Sequence, residues 1–105
     1  MKKTNEKQRR KSLPLMGKRP VIVRETLSTG REQETGVVVN LKTGKYYPLN
    51  KTAHEIWHRI NGKRTGLAIV AAIAKRYGAK KSKVADDVER YLVFLGRVGL
   101  VRWRS

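Results

Sequence analysis

The sequence predicts an α+β fold in which three antiparallel strands precede three helices. Three observations carry that prediction. Two β-branched runs, Val21-Ile22-Val23 and Val37-Val38-Val39, are set off by turn residues. After Leu49 the apolar spacing changes from two residues to about 3.6. Each of the three stretches that follow has a capping residue in front and a glycine behind. The chain has 105 residues and 12.0 kDa, room for one domain with a core drawn from roughly 80 residues.

The first strand is expected from Pro20 to Leu27, closed by a turn at Ser28-Thr29-Gly30. The second runs from about Gln33 to Leu41. Lys42-Thr43-Gly44 then makes a hairpin, because Gly44 adopts the positive φ of a short loop at little steric cost. Lys45 to Leu49 forms the third strand. Pro48 has no N–H to donate, which suits this strand to a sheet edge.

Asn50 is placed to cap the first helix, its side chain accepting from a free N–H two or three residues on. Ala53, Ile56, Trp57 and Ile60 share one face, and Asn61-Gly62 ends that helix. Thr65 caps a second helix through Tyr77, with Ile69, Val70, Ile73 and Tyr77 facing inward; Gly78 closes it. Ser82 caps a third helix running to about Val98, before Gly99. At 100° per residue its core stripe is Val84, Val88, Tyr91, Leu92, Leu95 and Val98. Phe94 lies beyond one margin of the stripe, on the flank that carries Asp87.

Composition narrows the function. No apolar run approaches the ~20 residues of a membrane span, and without cysteine there is neither a disulfide scaffold nor a thiolate metal site. Lys and Arg number 25 against 8 acids, a formal net charge of +17. Residues 1–19 hold eight of those bases and one acid with almost no apolar content, and so read as a disordered basic arm ahead of a domain at 20–105. The arm is able to contact phosphates or carboxylates. It lacks the apolar stretch of a secretory signal, so a cytoplasmic location is expected. No cofactor is expected.

Three features could carry chemistry. His54-Glu55-Ile56-Trp57-His58 has the HExxH spacing of zinc proteases. A catalytic zinc needs a third protein ligand, and the sequence has no third histidine. The motif also begins within a turn of the Asn50 cap, where Glu55 is well placed near the positive end of its helix. It reads as a coincidence of surface residues, with no catalytic and no metal residues assigned.

The second feature is a helix-turn-helix outline, 65–77 followed by 82–98. Lys80, Lys81 and Lys83 at the start of the last helix would suit DNA phosphates. Asp86, Asp87 and Glu89 follow at once and oppose them, and within the first two turns of that helix no Arg, Asn or Gln comes before Arg90 to read base edges. A winged helix-turn-helix DNA-binding protein is the alternative reading. The third feature is the apolar flank of the last helix, whose arc of about 160° is wider than one buried face requires.

From Gly36 to Val101 the chain resembles the PqqD-like leader-binding domains of ribosomal peptide biosynthesis. The residues that carry the resemblance are Leu49-Asn50, Ala53, Ile56-Trp57, Gly62 with Thr65, Asp87-Val88, Tyr91-Leu92, Leu95 and Gly99-Leu100. The stretch TGKYYPLN is most similar to stand-alone recognition elements of lasso-peptide pathways. Val93, Phe94 and Val98 depart from positions usually polar in that family, Gly66 weakens the start of the second helix, and the basic arm has no counterpart.

The resemblance implies a winged-helix-like, non-catalytic module. It would bind a precursor's leader peptide as an added strand on the third-strand edge, against the third helix, and present it to maturation enzymes. A leader peptidase, a cyclase or a radical enzyme would be the partner; nucleic acid is the less favoured partner and a membrane is not expected. The candidate binding residues are Lys45, Tyr46, Tyr47, Pro48 and Leu49 on the strand, with Lys83, Val84, Asp87, Val88, Arg90, Tyr91 and Phe94 on the helix. Lys83 and Arg90 would pair with acidic leader residues. About four or five main-chain hydrogen bonds are expected, at about 1 kcal/mol net each.

Overall fold

A computed structural model describes residues 15–29 and 36–105. Its order is β1 (Arg19–Ile22), β2 (Thr26–Thr29), β3 (Gly36–Asn40), β4 (Tyr46–Leu49), α1 (Lys51–Trp57), α2 (Gly66–Tyr77), α3 (Lys81–Arg97) and β5 (Val101–Arg104). β2, β3 and β4 form an antiparallel three-stranded sheet in that spatial order, so the expected sheet followed by three helices is present.

The expected first strand is in fact two. β1 leaves the three-stranded sheet and pairs antiparallel with β5, Ile22 opposite Val101 and Pro20 opposite Trp103. The chain turns at Arg24 and Glu25, held by Val23 N–H to Leu100 O and Leu41 N–H to Glu25 O, each 2.9 Å. Ser28 and Thr29, expected in a turn, are in β2; Gly30 lies outside the described residues. Alternation of Val101 and Trp103 with Arg102 and Arg104 was the available signal for β5, short enough to pass as a charged tail.

The fold also reaches back before Pro20. Met16 is 2% exposed and belongs to the core, and Arg19 donates to Lys63 O (3.1 Å) and Ser105 O (2.7 Å). Residues 15–19 of the expected arm are thus joined to the domain, while residues 1–14 lie outside the described residues. Gly66 explains how. A Cβ there would stand 2.8 Å from the Met16 sulfur and 3.1 Å from Met16 O, and Gly66 N–H donates to Lys18 O. The glycine that weakens α2 by propensity lets the N-terminal segment lie against it.

Two of the three expected caps form. Asn50 Oδ1 accepts from Ala53 N–H at 2.8 Å and Thr65 Oγ1 from Ala68 N–H at 3.1 Å. Ser82 does not cap α3: the helix starts at Lys81, and its N-cap, Lys80, makes no side-chain capping bond. α3 ends at Arg97, where Gly99 at φ +79° turns the chain so that Leu100 N–H reaches Leu95 O. α1, expected to run to about Ile60, ends at Trp57, although Ile60 remains buried.

The core joins Val38 of β3 and Leu49 of β4 to Ile56 and Trp57 of α1, Ile69 of α2, and Val88, Leu92 and Leu95 of α3. Side chains of this size contribute about 1.5–3 kcal/mol each when fully buried. Tyr91 and Val98 are only half-buried, and Tyr77 is 48% exposed rather than inward-facing. Asn40 is the one buried polar side chain among the described residues. Its Nδ2 donates to Val98 O at 3.1 Å, and its Oδ1 accepts from Lys42 N–H at 2.9 Å and more weakly from Thr43 N–H. One side chain therefore ties the β3–β4 turn to the end of α3.

Candidate functional site

β4 is an edge strand, and its register decides what that edge offers. Asn40 N–H donates to Lys45 O at 2.8 Å, so Lys45 faces β3. With Val38 opposite Tyr47 and Gly36 opposite Leu49, antiparallel alternation turns the N–H and C=O of Tyr47 and Leu49 toward β3 as well. Tyr46 and Pro48 face away from the sheet, and among the described residues no strand pairs with them. The missing N–H of Pro48 thus falls on the free side, where it breaks no ladder bond. Within β4 the edge offers Tyr46 N–H, Tyr46 C=O and Pro48 C=O. That is fewer main-chain groups than the expected four or five bonds require.

A groove of about 480 Å³ borders this edge, lined by Pro48 of β4, Asn50, then Thr52, Ala53 and Ile56 of α1, and Asp87, Arg90, Tyr91 and Phe94 of α3. The ring of Tyr47 meets that of Phe94 edge-on, centroids 5.8 Å apart, and Phe94 stacks on Tyr91 at 6.2 Å. Such pairs contribute about 0.5–1.5 kcal/mol beyond burial. They hold Phe94, 37% exposed, against the strand as a wall rather than leaving it as a loose rim residue. Burial pushes the Tyr91 hydroxyl pKa up to about 12, so it keeps its proton as a hydrogen-bond donor at any ordinary pH.

Of the residues singled out in the sequence, Pro48, Asp87, Arg90, Tyr91 and Phe94 meet in the groove, with Tyr47 behind Phe94. Tyr46, 69% exposed, stands on the edge itself. Leu49 is buried in the core and lines no depression described here, and the exposed Lys45 and Lys83 lie outside the groove lining. Val84 and Val88 line a different, adjoining pocket. Asn50, Thr52, Ala53 and Ile56 were missed as lining. The latter two were legible only as core, because helical periodicity does not say where a core face comes to the surface.

The HExxH residues are engaged with one another and with α2. His54 and His58 bring their Nε2 atoms to 2.8 Å. Glu55 accepts from the Arg59 guanidinium at 2.8 Å and from the Tyr77 hydroxyl at 2.7 Å. Partial burial works to raise the Glu55 pKa. The hydrogen bonds from Tyr77 and Arg59, with the charges of Arg59 and Arg76, outweigh it and hold the pKa below its ordinary value of 4.5. No group of three or more His, Asp or Glu among the described residues is placed to hold a metal ion, and no described helix is long and apolar enough to cross a membrane.

Comparison with known proteins agrees with this architecture. One solved structure, "TbiB1 in Complex with the TbiA(beta) Leader Peptide", superposes with a TM-score of 0.72 at 24% identity, covering 81% of this chain and 98% of that one. At that identity the likeness speaks for the fold. No curated protein matches the sequence. The family model for Coenzyme PQQ synthesis protein D (PqqD) matches residues 35–101, nearly the stretch that carried the resemblance, and the chain therefore belongs to the PqqD family.

Proposed function

We propose that this protein binds the leader segment of a precursor peptide as an added strand on β4 and presents it to maturation enzymes in ribosomal peptide natural-product biosynthesis, without catalysing a reaction itself. The observation that carries the proposal is the free edge of β4 beside an aromatic-walled groove. Family membership and the fold shared with a protein solved in complex with a leader peptide support it. The mode is β-augmentation, in which main-chain bonds attach the guest and alternate side chains select it.

Magnitudes say where the affinity comes from. The three main-chain groups of Tyr46 and Pro48 provide about 3 kcal/mol at about 1 kcal/mol each. Ordering one peptide residue costs about 1–2 kcal/mol, so these bonds alone do not hold a segment of five or six residues. Apolar side chains of the guest, seated against Tyr91 and Phe94 at about 1.5–3 kcal/mol apiece, supply the remainder. Arg90, beside Asp87 on the groove, draws an acidic guest residue, and Lys83 adds a more distant positive charge.

An amide NMR titration of the labelled protein tests this, using the leader of a short precursor encoded beside its gene and, in parallel, salt-matched duplex DNA. Shifts concentrated at residues 45–49 and 84–95 with peptide are expected, and Tyr47→Ala should weaken binding about tenfold or more by removing the half-buried ring that holds Phe94 in the groove wall. Saturable DNA shifts centred on Lys80 to Lys83, with no response to peptide, would overturn the proposal in favour of a DNA-binding protein.

A further inference from the structure

The HExxH stretch of α1 is a motif that leader recognition leaves unused. His54 and His58 stand one helical turn apart, with their Nε2 atoms 2.8 Å from each other and their ring centres 4.0 Å apart. A head-to-head hydrogen bond between two imidazoles would separate the ring centres by about 5 Å, the nitrogen contact plus about 1.1 Å of ring on each side. Rings standing side by side would keep their centres as close as their nitrogens. The observed separation lies between the two, so the rings spread like a V and both nitrogens aim toward one point.

The width of that opening selects an ion. Metal–imidazole bonds are about 2.0–2.1 Å long, and nitrogens 2.8 Å apart subtend about 85–90° at an ion held by two of them. That is the angle between neighbouring positions of a square-planar or tetragonal ion, the geometry of Cu(II) and Ni(II) with nitrogen ligands. A tetrahedral zinc would need its nitrogens about 3.3 Å apart. Glu55 is turned to Arg59 and Tyr77, so it serves neither as a ligand nor as a base. Among the described residues no further His, Asp or Glu completes a three-ligand group. The other positions of the ion go to water, as in an exchangeable site.

We infer that His54 and His58 chelate a divalent cation of the copper or nickel class, which clamps the last turn of α1. That helix has seven residues, and His58, its C-cap, returns its N–H to His54 O at 3.1 Å. An ion bridging the two side chains fixes the same turn from outside. Because the pair converges only in the folded helix, binding stabilises the fold by mass action. Neither histidine lines the groove beside β4, so the leader edge stays as it is.

Thermal melts of the full chain with CuCl2, NiCl2 or ZnCl2 in a neutral, non-chelating buffer test this, together with electron paramagnetic resonance of the Cu(II) sample. The chain has two histidines and no cysteine, so His54→Gln and His58→Gln remove the imidazoles one at a time. Nickel at about ten times its dissociation constant should raise the wild-type midpoint by about 5–10 °C. Copper should do so at lower concentration, and zinc at the nickel concentration should do less. The copper resonance should show two imidazole nitrogens, and each variant should lose both that pattern and the midpoint shift. No shift in wild type, the same shift in both variants, or a larger shift with zinc than with nickel would overturn the inference. If a variant is unfolded without metal, the wild-type resonance decides: fewer than two imidazole nitrogens overturns it.

Discussion

The two ends of this molecule treat exposed strand edges in opposite ways. At the β1–β5 end the chain is stitched shut. Met16 lies under Gly66, Lys18 O accepts from Gly66 N–H, and Arg19 bridges to Lys63 and the final residue. The strands there carry Arg19, Arg102 and Arg104, charges that discourage a further strand from docking. At the β4 end the edge carries Tyr46, Tyr47 and Pro48 and no charge, beside a groove with aromatic walls. A strand edge becomes a binding surface through the side chains beside it, since unpaired main chain is common to both ends.

If the ends are independent, damage to the closed one should cost stability and spare recognition. Met16→Ala removes a buried side chain and should cost about 2–5 kcal/mol, read as a fall in thermal midpoint of about 4–8 °C per kcal/mol. Peptide affinity measured well below the midpoint should hold. An unchanged midpoint would show that the N-terminal segment is not docked under α2, and the contrast would fail.

Asn40 joins the two ends, so its loss should reach both. Asn40→Ala leaves Val98 O and the turn N–H groups without their partner and should destabilise by about 1–3 kcal/mol in urea unfolding. Because the hairpin then shifts against α3, affinity should fall even at temperatures where the protein stays folded. Full affinity with reduced stability would mean that the groove is held by the core alone.

The smallest effect is expected at Glu55. Its pKa is depressed in the folded state, so the stability it contributes is fully present above its ordinary value of 4.5 and disappears as pH falls through the lower folded value. Glu55→Gln should therefore be less stable than wild type at neutral pH, with the difference shrinking in acid. A parallel pair of stability–pH curves would rule out this role.

Much of the architecture was legible locally. Asn50 and Thr65 cap their helices as their side chains predict, Gly44 closes the hairpin at φ +77°, and Pro48 marks an edge strand. These depend on residues within a few positions of one another. The third cap was misread at Ser82 because a capping side chain is an opportunity that the chain did not take. The HExxH spacing was legible too, and proved to be a local His–His contact with a glutamate turned to a neighbouring helix.

By itself, then, the sequence determined the α+β order, most helix and strand positions, and the family to which the chain belongs. Only the tertiary structure decided that the first strand divides between two sheets, that Met16 reaches the core, and that Tyr77 stays exposed and turns to Glu55 instead of entering the core. Those outcomes depend on contacts between residues far apart in the chain, such as Ile22 with Val101, Met16 with Gly66 and Tyr77 with Glu55. Periodicity reports which side of an element is apolar. What that side meets, another element or an opening to solvent, is set by how the elements close on one another.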